Sequence, residues 1–366
     1  MKRITVSALF AVLAGFLFVF GLRIGRVAEA GRPAAFPGRG RVVIGYFPSW
    51  NRAVFDHTMI AYDKLTHIVN AFAWPDTGGN LVLPEDYEYP ELVRTAHENG
   101  VKVILGLGGW GNCDGFPPMT ADPAGRAKFL GLVVAFCREH DYDGVDIDWE
   151  FVESAAESAD FSRFIGELSA ALRAMAPPHL LTMAASAGDY YGRWIDYENL
   201  HSFFDFIGFM TYDYHGPWSD HSGHNAPLYS CGDECGSMDE TFLYARTRGV
   251  PPAKILLGLP FYGRTFDTSF FHDSFRTSEY LSFQQIVTGR TSGWPSRLDY
   301  CSWVPYLRKP GGGEIVSYDD EFSIWRKCLY VLGADAAGVI IWEISQDRRE
   351  GKSVLLEVVG NTLLKR

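Results

Sequence analysis

The sequence predicts an α/β fold, a closed (β/α)8 TIM barrel, on two observations. Eight apolar, strand-like runs recur along the chain, and stretches with a 3.6-residue apolar period separate most of them. An open doubly wound sheet is the alternative for such alternation, and a count of eight favours closure. The runs are Val42–Phe47, His67–Trp74, Val101–Gly109 and Gly144–Glu150, then Leu180–Ala187, Phe206–Tyr214, Ile255–Tyr262 and Gly338–Ser345. Helical periodicity is clearest over Ala124–Glu139 and Ala159–Met175, and Ser237-Met238-Asp239-Glu240 reads as the start of a helix over Met238–Arg248. The rhythm breaks once. Residues 267–314 hold turn signals, aromatics and a Gly311-Gly312-Gly313 run, and are expected to form a small, reduced insertion between the seventh and eighth strands.

Ahead of the first strand, Lys2 and Arg3 precede an almost unbroken apolar run, Val6–Leu22, and Ala28-Glu29-Ala30 supplies a small-x-small cleavage pattern. Residues 1–30 therefore read as a secretory signal peptide and 31–40 as a Gly/Pro linker before a domain spanning 41–366. The apolar run is long for a signal, so an uncleaved N-terminal anchor is the alternative, and no other stretch is long enough to span a membrane. The expected location is secreted, with periplasmic or anchored forms as variants. Six cysteines suit an oxidising compartment. Cys231 and Cys235 frame a tight loop and are candidates for a local bridge. Cys113, Cys137, Cys301 and Cys328 are candidates for two more, against the alternative of several buried free thiols.

Composition narrows the function classes. The chain is 47% hydrophobic and 21% charged, enough to bury a large core. Its net charge is −11, and no basic stretch offsets it, so a nucleic-acid partner is excluded. Ten Trp and eighteen Tyr suit flat, amphipathic ligands such as sugars. His215, His221 and His224 lie close together but match no zinc spacing, so neither a metal nor any cofactor is expected. Gly106-x-Gly108-x-x-Gly111 matches a dinucleotide-binding pattern, yet the following Asn112–Pro118 does not read as a helix, and the phosphate-cradling N-terminus is missing. No Gly-x-Ser-x-Gly elbow occurs.

The informative segment is Asp143-Gly144-Val145-Asp146-Ile147-Asp148-Trp149-Glu150. On a strand, Asp146, Asp148 and Glu150 share one face, and Val145, Ile147 and Trp149 share the other. The apolar face suits packing against outer helices, which points the carboxylates into the barrel. Three carboxylates crowded at low dielectric cannot all ionise, so at least one pKa must rise. Glu150, at the carboxyl end of the strand and nearest the open mouth, is the natural proton donor. Asp143 has the opposite parity and a structural role.

That segment resembles the DGxDxDxE signature of glycoside hydrolase family eighteen, the chitinase family. Gly45-Tyr46-Phe47-Pro48-Ser49-Trp50 resembles the family's first strand, and Met210-Thr211-Tyr212-Asp213 its sixth. Gly223–Tyr229, Gly258–Arg264, Ser317–Asp320 and Trp342–Ser345 resemble later family segments, so the likeness covers roughly residues 42–350. It implies a retaining mechanism in which the substrate's own 2-acetamido carbonyl attacks, with Glu150 as general acid and then base. Asp148 would orient the acetamide, Asp146 would share a proton with Asp148, and Tyr212 would donate to the acetamido carbonyl. Tyr46, Trp110, Met210, Asp213, Trp342 and Arg264 are the substrate-binding candidates, with Trp342 as the floor beneath a sugar and Trp50, Trp110 and Trp218 as flanking platforms. Tyr46 is expected to bond near Asp146. The substrate implied is chitin or a chitooligosaccharide, met by a monomer; a peptidoglycan or N-glycan hydrolase and a non-catalytic lectin are the alternatives. Two positions depart from the family pattern: Gly106 stands where a Ser is usual, which threatens a hydrogen bond to Asp146, and Phe151 stands where Tyr is frequent.

Overall fold

The computed structural model describes residues 40–85, 87–232 and 236–364. The signal-peptide reading of 1–30 and all but the last residue of the linker lie outside the described residues, as does Cys235. Eight parallel strands form the barrel: β1 (Val42–Pro48), β2 (His67–Pro75), β3 (Lys102–Gly108), β4 (Gly144–Asp148), β5 (Leu180–Ala185), β6 (Phe206–Phe209), β7 (Ile255–Pro260) and β8 (Gly338–Trp342). Each pairs with its neighbours in chain order, and β1 pairs with both β2 and β8, which closes the sheet.

The strands are buried on both faces and accordingly read as continuous apolar runs. Their outward side chains, among them Val145, Ile147 and Trp149, join one large core beneath the helices. Inward residues Ile44, Tyr46, Val69, Phe72, Ile104, Leu256 and Ile340 fill the barrel itself. Helices start where the sequence supplies a cap: Asp122 accepts from the amides of Ala124 and Gly125, Ser154 from Glu157, and Ser237 from Glu240. Those caps open helices over Pro123–Glu139, Ala155–Arg173 and Met238–Thr247. A short helix, Phe116–Ala121, also forms where the sequence reading had none. Pro117 and Pro118 fit its first turn, where a missing N–H costs nothing.

Between β7 and β8 the chain builds a second, antiparallel sheet of five strands. In spatial order these are Tyr280–Ser282, Tyr262–Phe266, Ile315–Ser317, Val304–Arg308 and Ser296–Asp299, with a helix at Phe283–Thr288. This unit is larger than the expected segment 267–314, because the sequence run from Ile255 to Tyr262 holds two elements. β7 ends at Pro260, and Tyr262 already belongs to the insertion.

The cysteine reading needs correction. Cys231 bonds to Cys301 across 70 residues, with Cα atoms 5.8 Å apart, and Cys113, Cys137 and Cys328 are buried free thiols. A local partner in the same loop was the shorter route in sequence, but the insertion hairpin brings Cys301 against that loop, where Leu228 N–H donates to the Ser302 carbonyl. Among the described residues, no helix is long and apolar enough to cross a membrane.

Candidate active site

The second half of β4 places Asp146 and Asp148 inside the barrel, 2% and 4% exposed. Glu150 follows in the turn beyond the strand and is half-buried at the mouth. The register sets Asp146 beside Gly106 and Thr182, and Asp148 beside Gly108. Tyr46 from β1 donates its hydroxyl to Asp146 Oδ2 at 2.8 Å, and Thr182 from β5 donates to Oδ1 at 2.5 Å. Both Asp146 oxygens are thus satisfied, and the shortfall expected from Gly106 does not occur. Asp148 Oδ1 is buried with no hydrogen-bond partner among the described residues.

Burial dominates the electrostatics. It lifts Asp146 to about 6 against the opposing bonds from Thr182 and Tyr46. It lifts Asp148 well above the carboxylate range, with the Glu150 and Asp146 charges adding to the effect. Glu150 rises to about 7 through burial and then the Asp213 charge, while the Trp110 backbone N–H pulls the other way. Asp148 and Glu150 therefore titrate together, and all three carboxyls hold their protons to higher pH than exposed acids do. Burial, followed by the Asp148 and Glu150 charges, raises the Tyr212 phenol and keeps it a donor.

Trp342 ends β8, the strand beside β1, and packs on Tyr46, the donor to Asp146. Its ring lies 5.8 Å from Phe72 and nearly parallel to it, 5.6 Å from Tyr46 and 6.3 Å from Trp50. Met210 and Trp342, both half-buried, pack against a small cluster of Tyr212, Ala226 and Tyr262. β6 stops at Phe209, so Met210 and Tyr212 reach the pocket from the loop beyond it rather than from the strand. Asp213 takes up the left-handed backbone region, φ 59°, and receives two hydrogen bonds from Arg264 at 2.7 and 3.1 Å. Arg264 comes from the insertion, and its guanidinium lies over the rings of Trp218, Tyr280 and Tyr262 at 4.9, 5.4 and 5.6 Å. Trp110 is 77% exposed, next to Glu150 through its backbone. All ten sequence candidates therefore gather at one end of the barrel, the carboxyl ends of its strands.

Several neighbours were missed. Thr182 carries no motif, and only the strand register shows that it faces Asp146. Cys113 accepts from the Glu150 amide through its sulfur at 3.2 Å, a contact set by a loop with no periodicity. Glu343, beside Trp342, is buried and bonded to the amide and hydroxyl of Ser345 at 2.7 and 2.8 Å. Its place in the segment Trp342–Ser345 was the available signal. Gly106 has a local reason: an added Cβ would sit 2.8 Å from Val69 Cγ1, 2.9 Å from the Asn70 carbonyl oxygen and 3.0 Å from Phe72. Asp143, just before β4, instead binds His97 and the Val103 amide, both at 2.8 Å.

The family model for glycosyl hydrolases family 18 matches residues 42–347. The chain belongs to that family. Among relatives, a probable chitinase 2 from Drosophila melanogaster is 29% identical, over 85% of this chain and 73% of its own length. An oviduct-specific glycoprotein from Bos taurus is 30% identical over 78% of this chain, which spans only 58% of that relative. Among solved structures, the Ostrinia furnacalis Group IV chitinase in complex with allosamidin superposes with a TM-score of 0.80 at 26% identity, covering 88% of this chain and 99% of that one. The barrel, its closure and the family thus agree with the sequence expectation.

Proposed function

We propose that the chain is an exported chitinase-type hydrolase that cleaves β-1,4 N-acetylglucosamine linkages with retention, using Glu150 as general acid and base. The observation that carries this reading is the buried carboxyl set at the end of β4, in which Glu150 is lifted to about 7 and Asp146 is held by Tyr46, whose ring packs on Trp342. A carboxyl still protonated near neutrality is what donation to a glycosidic oxygen requires. A sugar seated with its apolar face on Trp342 presents its linkage oxygen to Glu150 and its 2-acetamido group to Asp148 and Tyr212. The acetamido carbonyl then attacks the anomeric carbon as the linkage breaks and the leaving sugar takes the Glu150 proton. Asp148 stabilises the positive charge on the acetamide nitrogen, and its unpartnered Oδ1 supports that role. Water, deprotonated by Glu150, reopens the intermediate and restores the acid. Asp146, held by Tyr46 and Thr182, takes up a share of the Asp148 proton. Arg264 fixes Asp213 beside the same sugar.

Export is supported by the Val6–Leu22 apolar run and by the Cys231–Cys301 bond, since such bonds persist in oxidising compartments. The test is cleavage of a chromogenic N-acetylglucosamine dimer and trimer beside the same compounds lacking their N-acetyl groups. Only the acetylated substrates should be cut. Equal cleavage of both would remove the acetamido nucleophile from the mechanism, and cleavage of peptidoglycan or N-glycan cores alone would change the substrate.

A further inference from the structure

Cys113 is a buried thiol that the proposed chemistry does not use, yet it touches the backbone on both sides of Trp149. The pairing of β4 ends at Asp148 on the β3 side and at Ile147 on the β5 side, so the Glu150 amide lies beyond both ladders and needs another acceptor. Cys113 Sγ is that acceptor, at 3.2 Å. The same sulfur lies 3.4 Å from the Asp148 carbonyl oxygen and 3.5 Å from that of Gly109, so its single hydrogen has a partner in either direction. The thiol is itself held in place. Phe116 N–H donates to the Cys113 carbonyl at 3.0 Å, and the Phe116 ring stacks on Trp149 with centroids 5.0 Å apart and planes 13° from parallel. Gly109 N–H donates to the Asp148 carbonyl at 2.8 Å. Gly108, at φ 111°, permits that approach, because a Cβ there would lie 2.2 Å from the same carbonyl oxygen. The turn after β3 thus grips residues 148, 149 and 150 in succession, and its Trp110 amide reaches the Glu150 carboxyl.

We propose that Cys113 is a positioning residue for Glu150: its sulfur pins the amide of the acid and so sets where the carboxyl stands at the barrel mouth. The role rests on the reading of Glu150 as the proton donor. Cys113 transfers no proton itself. Burial pushes its thiol up to about 12 against the pull of the Glu150 amide, so near neutrality it is neither nucleophile nor base. What it supplies is geometry. Trp149 is anchored through its ring by Phe116, which leaves rotation of the peptide between Trp149 and Glu150 as the main freedom of the acid's backbone. The sulfur opposes that rotation from the N–H side. Proton transfer to a glycosidic oxygen is sensitive to such slack, since a displacement of about 1 Å costs about 100-fold in rate. A Ser hydroxyl at this position would keep an acceptor for the amide and a donor for the carbonyls, whereas an aliphatic side chain would keep neither.

The experiment compares wild type with Cys113→Ala, Cys113→Val and Cys113→Ser on the chromogenic N-acetylglucosamine trimer. It reads kcat and KM as functions of pH, with denaturant unfolding of each variant alongside. Cys113→Ala removes the acceptor, and Cys113→Val removes it while filling the space. Both should lose kcat by about 10–100-fold with KM within about twofold, because a misplaced acid is felt in the transition state. Their alkaline limb should also move to lower pH, since a carboxyl that slips towards water loses the burial that lifts Glu150 to about 7. Cys113→Ser should hold kcat within about threefold of wild type and leave the limb in place. A folded Ala or Val variant that keeps wild-type kcat and pH profile, losing stability alone, would overturn the positioning role and leave the hydrolase reading intact. A folded Ser variant with the losses expected of Cys113→Val would overturn it too, and that test stands even where Ala and Val do not fold. A wild type that does not cut the trimer would overturn the hydrolase reading and the positioning role with it.

Discussion

Glu150 has its ordinary pKa of 4.5 lifted to about 7, and Asp146 has 3.8 lifted to about 6, with burial the leading cause in both. In that window the folded protein keeps protons that the unfolded chain has released. The stabilising contribution of these groups is therefore fully present below their unfolded pKa values and is lost as pH rises through 6 and 7. Glu150→Gln, which cannot ionise, should gain stability relative to wild type between about pH 5 and about pH 8, measured by denaturant unfolding at each pH. A constant difference across that range would mean that Glu150 titrates like an exposed acid. Gly106 supplies a second residue-scale prediction. Restoring the family's Ser drives a Cβ to 2.9 Å from the Asn70 carbonyl, a backbone atom that cannot rotate away. Gly106→Ser should lower stability by about 1–3 kcal/mol and bring no gain in turnover, as overpacking does elsewhere. The parity of β4 made Asp146, Asp148 and Glu150 legible in the sequence. Thr182 was not, because strand pairing between β4 and β5 leaves no mark in either strand alone.

At the scale of elements, apolar periodicity and caps such as Ser237 gave the barrel strands and main helices close to their observed ends. The errors cluster where one element passes into another without a break in pattern. β7 and the first insertion strand share a single apolar run, and Met210–Asp213 lies beyond β6 although its alternation continues. The disulfide was illegible for a different reason: Cys231 meets Cys301 only once the hairpin Ser296–Arg308 has folded back onto the loop. His224 joins the same junction through Asp299 at 3.0 Å and Ser317 at 3.1 Å. Closing a loop of 70 residues restricts the unfolded chain, so Cys231→Ser/Cys301→Ser should lose about 2–4 kcal/mol in equilibrium unfolding. Loss of less than about 0.5 kcal/mol would show that the loop is held without the bond.

Across the whole molecule, closure of the barrel is what turns a row of motifs into a site. Tyr46, Thr182 and Tyr212 are far apart in sequence, and they meet the Asp146–Glu150 carboxyls, with Trp342 packed on Tyr46 and Arg264 on Asp213, because strand ends converge at one mouth. The insertion adds Arg264, which holds Asp213 and lies over the rings of Tyr262 and Tyr280. Composition already pointed to sugars and away from nucleic acid, with a net charge of −11 and an abundance of aromatics. It held no information on which rings line the site and which lie in the core. The most direct measurement is the rate of cleavage of the chromogenic N-acetylglucosamine dimer and trimer by wild type and by Glu150→Gln. Wild-type turnover reduced by at least ~100-fold in the variant, with substrate binding retained, is the expected result for loss of the general acid. Turnover undiminished in Glu150→Gln, or a wild type that binds the oligomers without cutting them, would contradict it.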